Sequence, residues 1–222
     1  MTSIKTITSV MAMIMIALAF FVAAEDPADI SLPAPRMEGG KPLMQALKER
    51  QTTRVFGTKK LPVKVLSDLL WAAFGINRPD SEKRTAPSAR NWQEVDVYVV
   101  MEDGTYLYDA KANKLKAVAK GDLRKLTGPQ PFVASAPLNL VFVADISKMK
   151  GAQPEAQALY SGADVGFISQ NVYLFCASEG LATVVRGSVE RDALAKALNL
   201  TKEKKIIFAQ TVGYPGTEAK PN

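Results

Sequence analysis

The chain has 222 residues, a net charge of +6 and no histidine, and Cys176 is its only cysteine. These counts exclude Ser-His and Cys-His nucleophiles, histidine-ligated metals and an intramolecular disulfide. The positive charge is scattered and its one cluster, at residues 202–205, has no interleaved aromatic residues, so we expect no nucleic-acid partner and assign any catalysis to a cofactor or to a carboxylate, lysine or arginine site.

The first 24 residues have the pattern of a secretory signal peptide. Lys5 is their only charged residue, residues 11–22 are apolar, and the small residues Ala23 and Ala24 follow. The apolar run is short for a membrane-spanning helix and is followed by Glu25 rather than by a basic flank. We therefore expect cleavage after Ala24, export to the periplasm or the outside of the cell, and no stable membrane insertion afterwards. An uncleaved N-terminal anchor is the alternative.

The rest of the chain is expected to be one domain. Residues 25–42 contain too many prolines and glycines for a regular element and are predicted to form an extended arm. The domain covers residues 43–216, and residues 217–222 form a short tail. Periodicity predicts helices at about 43–50, 63–74, 121–126, 155–180 and 191–198, and strands at about 95–100, 105–108, 111–118, 138–144, 181–185 and 205–212.

This irregular order of elements favours an α+β fold over a doubly wound sheet. The strand at 138–144 is apolar throughout, which predicts burial on both faces. Residues 165–177 of the long helix are apolar on nearly every side and must be enclosed. Packing against the same helix of a second copy would enclose them, so we hypothesise a twofold homodimer. Cys176, within this run, is expected to be a small core residue.

Three segments have patterns that suit a bound ligand. In the phosphate segment, residues 50–54, two arginines flank amide and hydroxyl groups, which suits a phosphate monoester; a solvated helix end is the alternative. In the loop segment, residues 85–93, small and amide-bearing residues suit a planar flavin ring and its ribityl chain, and a plain surface loop is the alternative. In the strand-end segment, residues 184–187, glycine lets backbone N–H groups face a ligand, unless this is only a strand end with an exposed arginine.

The order and spacing of these segments, between Pro42 and Pro215, resemble the nitroreductase family of FMN oxidoreductases. The phosphate segment stands at the family's basic, hydroxyl-bearing motif, and the loop segment contains the family's Pro-Ser-x-x-Asn-x-Gln pattern. The long helix is similar to the family's interface helix. Its matching residues are Gln170, Asn171, Tyr173, Leu174, Ala177, Gly180 and Leu181.

The resemblance implies an α+β homodimer with a mixed, mainly antiparallel sheet flanked by helices. It also implies two FMN molecules in the interface, ping-pong hydride transfer through the flavin N5 and NAD(P)H as a possible reductant. No side chain is expected to be catalytic, and the loop segment would reach the FMN of the partner subunit. The FMN contacts implied are Arg50, Gln51, Thr52, Arg54, Pro87, Ser88, Ala89, Asn91, Val184, Val185, Arg186, Gly187 and Lys220.

The chain departs from the family pattern at three places. Glu94 stands where many members have proline, and Arg186 stands where many have glutamate, so the polarity around the ring is expected to differ. Many members end with a lysine and arginine pair that holds the phosphate, whereas the tail here offers only Lys220.

Three functions remain open on the sequence alone. The first is an exported FMN-dependent oxidoreductase that acts on a small conjugated or electron-poor substrate. The second is an azoline-type dehydrogenase or oxidase that passes electrons to oxygen or a quinone, which suits a location where nicotinamide nucleotides are scarce. The third is a flavin-binding protein without turnover.

Overall fold

The computed structural model describes residues 27–217. The predicted signal peptide and Lys220 lie outside the described residues. The helices are α1 (Leu43–Glu49), α2 (Val63–Phe74), α3 (Pro154–Glu179) and α4 (Arg191–Ala197). The strands are β1 (Ile30–Ser31), β2 (Ile76–Arg78), β3 (Lys83–Arg84), β4 (Val95–Val100), β5 (Gly104–Asp109), β6 (Lys114–Lys120), β7 (Leu138–Asp145), β8 (Ala182–Arg186) and β9 (Lys204–Gly213).

Seven of these strands form one sheet in the order β1-β6-β5-β4-β7-β9-β8, and β2 and β3 form a separate hairpin. Every neighbouring pair in the large sheet is antiparallel. The sheet and its flanking helices are the α+β fold that the sequence predicts. The central strand β7 is buried along Leu138 to Ala144, which confirms the prediction of burial on both faces.

Side-chain alternation along the central strands produces two cores, one on each face of the sheet. Val97 and Val99 of β4 point toward α2 and α3, while Tyr98 and Val100 point toward α4. The first core is the larger because two helices cover that face. Leu194 of α4 fills the centre of the second core and is fully buried.

The predicted helices and strands agree with the structure to within a few residues, with three exceptions. One is the hairpin of β2 and β3, which was not predicted. Residues 121–126 were predicted to form a short helix, but the structure has a 3₁₀ turn at Arg124–Thr127, which Thr127 closes by donating its hydroxyl to the Arg124 carbonyl at 2.8 Å. The arm contains one short strand, β1, which was not predicted because it forms only by pairing with the distant strand β6.

The ends of the two long helices follow from glycines. Helix α3 ends at Gly180, whose φ of 69° is in the left-handed region that favours glycine. Helix α2 ends at Gly75, where a Cβ atom would come within 2.4 Å of the Trp71 side chain. Among the described residues, no helix combines the length and the apolarity that crossing a membrane requires.

Helix α3 is only half enclosed within one subunit. Val165, Ile168 and Val172 are fully buried in the first core, and Cys176 beside them is 1% exposed, as expected for a core residue. The opposite side remains open, and Phe167 is 48% exposed. The prediction that this helix must be covered on all sides is therefore not met by the single subunit.

Candidate active site

The phosphate segment leaves α1 at Arg50 and runs beside the start of β8. The backbone of Arg50 is no longer helical, with ψ at 119°. The Thr53 N–H donates to the Thr183 carbonyl at 3.0 Å, which attaches the segment to the sheet edge. The Arg50 guanidinium carbon lies 5.3 Å from the centre of the Tyr173 ring, a distance at which the cation is attracted to the ring.

The hydroxyl of Tyr173 joins the phosphate segment to the strand-end segment. It accepts a hydrogen bond from the Val185 N–H at 3.1 Å and lies 3.0 Å from Oγ1 of Thr52. Tyr173 is 7% exposed and belongs to α3, so this helix holds both segments in place through one side chain. The sequence placed Tyr173 on the interface helix but gave no signal for this role.

An open cavity of about 490 Å³ adjoins the phosphate segment. Lys41 forms an ion pair with Glu49, whereas neither Lys48 nor Arg50 has a carboxylate partner in the described part of the chain. The cavity therefore carries excess positive charge and suits an anionic group. Its lining includes Lys41, Lys48, Glu49, Arg50, Gln51, Thr53, Tyr173 and Thr183.

Of the predicted site residues, Arg50 and Gln51 line this cavity directly. Thr52 contacts the cavity-lining residue Tyr173 through its hydroxyl. Arg54 is exposed farther along the segment. Lys41 and Lys48 also line the cavity but were not predicted to belong to the site. Both precede the recognised motif, and only the packing of α1 on α3 brings them to the cavity.

The strand-end segment turns its arginine into the protein. Arg186 is 6% exposed, and its guanidinium donates to the carbonyl of Thr127, to Oδ1 of Asn139 and to Oγ1 of Thr211. Burial lowers the pKa of Arg186 to about 10, so the side chain stays charged at neutral pH. The alternative of an exposed arginine at a strand end is therefore wrong. Any contact of this segment with a ligand falls to the backbone and to Gly187, which is exposed.

The loop segment contacts α3 nearer to the N-terminus of the helix than the other two segments do. The Ala89 N–H donates to Oδ2 of Asp164 at 2.9 Å, and the Trp92 ring packs edge-on against Tyr160 at 5.9 Å. Asp164 precedes Tyr173 by nine residues, which corresponds to about 14 Å along a helix. Within one subunit the loop segment is thus separate from the two segments that Tyr173 joins.

The exposed tip of the loop segment contains the predicted contacts. Pro87 and Asn91 are exposed, while Ser88 and Ala89 are half-buried. Ser88 accepts the Gln93 N–H through its hydroxyl at 2.8 Å, which closes the loop on itself. The residue that follows the loop, Glu94, is fully buried. Both unusual residues of this chain, Glu94 and Arg186, thus have side chains inside the subunit.

The comparisons with known proteins identify the family. The nitroreductase family model matches residues 47–214. This chain belongs to the nitroreductase family. A crystal structure of a nitroreductase-like protein from Ralstonia eutropha superimposes with a TM-score of 0.82 at 42% identity, over 88% of this chain and 92% of that one. A nitroreductase-like protein of Methanocaldococcus jannaschii is 27% identical over 75% of this chain and 88% of its own length.

A shorter match connects the chain to a flavin enzyme. The NADPH-flavin oxidoreductase of Vibrio harveyi is 30% identical over 112 residues, which cover 46% of this chain and 47% of that protein. Together these relationships make the chain a nitroreductase-family oxidoreductase. Among residues 27–217, no group of three or more acidic, cysteine or histidine side chains is arranged to hold a metal ion.

The first prediction concerns the hydroxyl that joins two segments of this nitroreductase-family site. Tyr173→Phe leaves the part-buried Val185 N–H without its acceptor, so we expect the free energy of unfolding to fall by about 1 kcal/mol. Urea unfolding followed by circular dichroism measures this. Tyr160→Phe is the matched control because its ring is 41% exposed and its hydroxyl joins no segments. Equal effects of the two substitutions would contradict the assigned role.

Proposed function

We propose that the chain is an exported, FMN-dependent oxidoreductase that transfers hydride to a small conjugated or electron-poor substrate. The observation that carries the proposal is the Tyr173 hydroxyl, which brings the phosphate and strand-end segments together beside a cationic cavity. When bound, FMN supplies the hydride chemistry at its N5, so the protein needs no catalytic histidine.

The residues of the phosphate segment suit the FMN phosphate. Arg50 offers a planar fork of donors, Thr52 offers a hydroxyl beside it, and Lys48 adds positive charge at the same cavity. The cavity volume falls in the range of about 300–1,000 Å³ that is common for small-molecule sites. We assign Arg50, Gln51, Thr52 and Arg54 to the phosphate and ribityl chain, and the backbone of residues 184–187 to the ring edge.

The proposal includes a homodimer whose partner completes the site. Leu159 and Phe167 of α3 are 68% and 48% exposed, and Met44 of α1 is 75% exposed, which is unusual for apolar side chains of this size. A second copy that covers this surface would also bring its loop segment, with Pro87, Ser88, Ala89 and Asn91, to the flavin. This accounts for the separation of about 14 Å along α3 between Asp164, which anchors the loop segment, and Tyr173, which anchors the other two.

Two classes of electron donor suit the proposed enzyme. The relationship to an NADPH-flavin oxidoreductase supports NADPH as a reductant. Export would separate the enzyme from that nucleotide, so an organic donor outside the cytoplasm is the physiological candidate.

The first test of the proposal is FMN binding. The purified chain should take up one FMN per chain, turn yellow and be reduced by a hydride donor, followed by reoxidation with a quinone or nitroaromatic acceptor. Arg50→Ala should weaken FMN binding about tenfold or more, because a charge-assisted contact to the phosphate is lost, and leave riboflavin binding nearly unchanged. Lys205→Ala removes a charge away from the cavity and is the control. Failure to bind FMN would contradict the proposal.

The second test addresses the dimer. Phe167→Asp places a charge in the proposed interface, so we expect light scattering after gel filtration to report a monomer with weakened FMN binding. Val118→Asp introduces the same charge at an apolar side chain that is 39% exposed on β6, and it should stay dimeric. A wild-type chain that is monomeric at micromolar concentration would contradict the proposed interface.

The third test addresses export. The full chain expressed in bacteria should be recovered from the cell envelope fraction with Glu25 as its first residue. Leu18→Arg interrupts the apolar run and should retain the chain in the cytoplasm with its N-terminus intact. A wild-type chain found in the cytoplasm with Met1 in place would contradict export.

A further inference from the structure

Glu94 is a buried acid whose carboxyl group lacks hydrogen-bond donors within residues 27–217. It connects the loop segment to β4 and is 0% exposed. Its backbone carbonyl accepts the Asp145 N–H at 2.9 Å, yet neither of its carboxyl oxygens receives a hydrogen bond in the described part of the chain. An ionised carboxylate in such surroundings is costly, because nothing replaces the water it has lost.

The carboxyl group that faces Glu94 belongs to Asp164 of α3, which is 2% exposed. Burial, together with the charge of Asp164, raises the pKa of Glu94 to about 7. Lys148, in the turn after β7, is a nearby cation, and its positive charge acts to lower the pKa of Glu94. Its ammonium group is already engaged with the Gln93 carbonyl and with Asp96, each at 3.3 Å. Burial and the neighbouring charge of Asp164 therefore both favour the protonated form of Glu94.

Asp164 also holds the loop segment, through the 2.9 Å hydrogen bond from the Ala89 N–H. The loop needs such an anchor because three of its residues with side chains, Arg90, Asn91 and Gln93, have positive φ values of 51°, 55° and 48°. Left-handed backbone at residues other than glycine is unfavourable and persists only where surrounding contacts impose it. The carboxyl pair is thus placed between the loop and the helix that fixes it.

We propose that protonated Glu94, which faces Asp164, positions the loop segment, and that loss of the Glu94 proton releases the loop from α3. The proton leaves Glu94 for solvent, and two buried carboxylates then face each other. Their repulsion is relieved when the Glu94 end of the loop moves away from the helix. Glu94 is in this sense a positioning residue. Its effect on FMN rests on the proposed function, whereas its effect on the loop does not.

Trp92 provides a direct reporter of the loop, since it lies within it and contacts Tyr160 of α3. The experiment uses the full mature chain with Trp71→Phe, which leaves Trp92 as the only tryptophan. We expect its fluorescence to change in a one-proton transition with a midpoint near pH 7, with the loop held below the midpoint and released above it. Amide exchange at Ala89 in the unmodified chain measures the same event without the Trp71 substitution.

Two substitutions test the assignment. Glu94→Gln keeps the shape but cannot ionise, so the transition should disappear and the loop should stay in its low-pH state. Asp164→Asn removes the facing charge and can donate to Glu94, so the midpoint should move to lower pH. A transition that persists unchanged in Glu94→Gln would overturn the proposal. So would flat Trp92 fluorescence together with a constant Ala89 protection factor, the exchange rate corrected for its intrinsic pH dependence, between pH 5 and 9 in the chain with Glu94.

The consequence for FMN is measured separately. Affinity should fall about sixfold between pH 6.5 and 8.5, toward the limit of about tenfold that a difference of one pKa unit for Glu94 between bound and free chains produces. Glu94→Gln, measured over the same range, reports any contribution from ionisation of the FMN phosphate and should show no such fall. Equal pH profiles in the two chains would overturn the link to FMN. Absence of FMN binding at every pH would instead overturn the proposed function and leave the fluorescence result to decide the loop.

Discussion

The packing of α3 on the sheet is the constraint on which the rest of the structure depends. Val165, Ile168 and Val172 bury one side of the helix completely, and this fixes its rotation and its height over the strands. Every segment with a proposed ligand contact is then positioned by a polar side chain of the same helix. Asp164 holds the loop segment near its middle, and Tyr173 holds the other two segments farther along.

The same packing leaves α3 with an apolar side that its own subunit does not cover. Side chains such as Leu159 and Phe167 are too exposed for a helix whose other face is a complete core. One helix thus supports the site from inside the subunit and also carries the surface that we propose for a second copy. A change in its position would alter the cofactor site and the proposed interface together, because both are attached to the same rigid element.

Glu94 and Arg186, which both depart from the family pattern, are buried, and they differ in how close burial brings their pKa to neutrality. Arg186 keeps its charge because the ordinary pKa of arginine is so high that burial, which lowers it to about 10, still leaves it far above neutrality. Oxygen acceptors on Thr127, Asn139 and Thr211 also bind its guanidinium. Glu94 starts from a pKa below neutrality, and neither of its carboxyl oxygens receives a hydrogen bond from residues 27–217, so burial raises its pKa to about 7.

The sequence by itself determined the elements and the class of chemistry. Periodicity placed α1 to α4 and the central strands, because these signals are local, and the missing histidines together with the motif order indicated a cofactor enzyme. Tertiary structure alone decided how the site is held. Thr52 meets Tyr173 across 121 residues, and Ala89 meets Asp164 across 75. The burial of Glu94 and Arg186 was equally invisible in the sequence, because a side chain's surroundings depend on which distant elements pack against it.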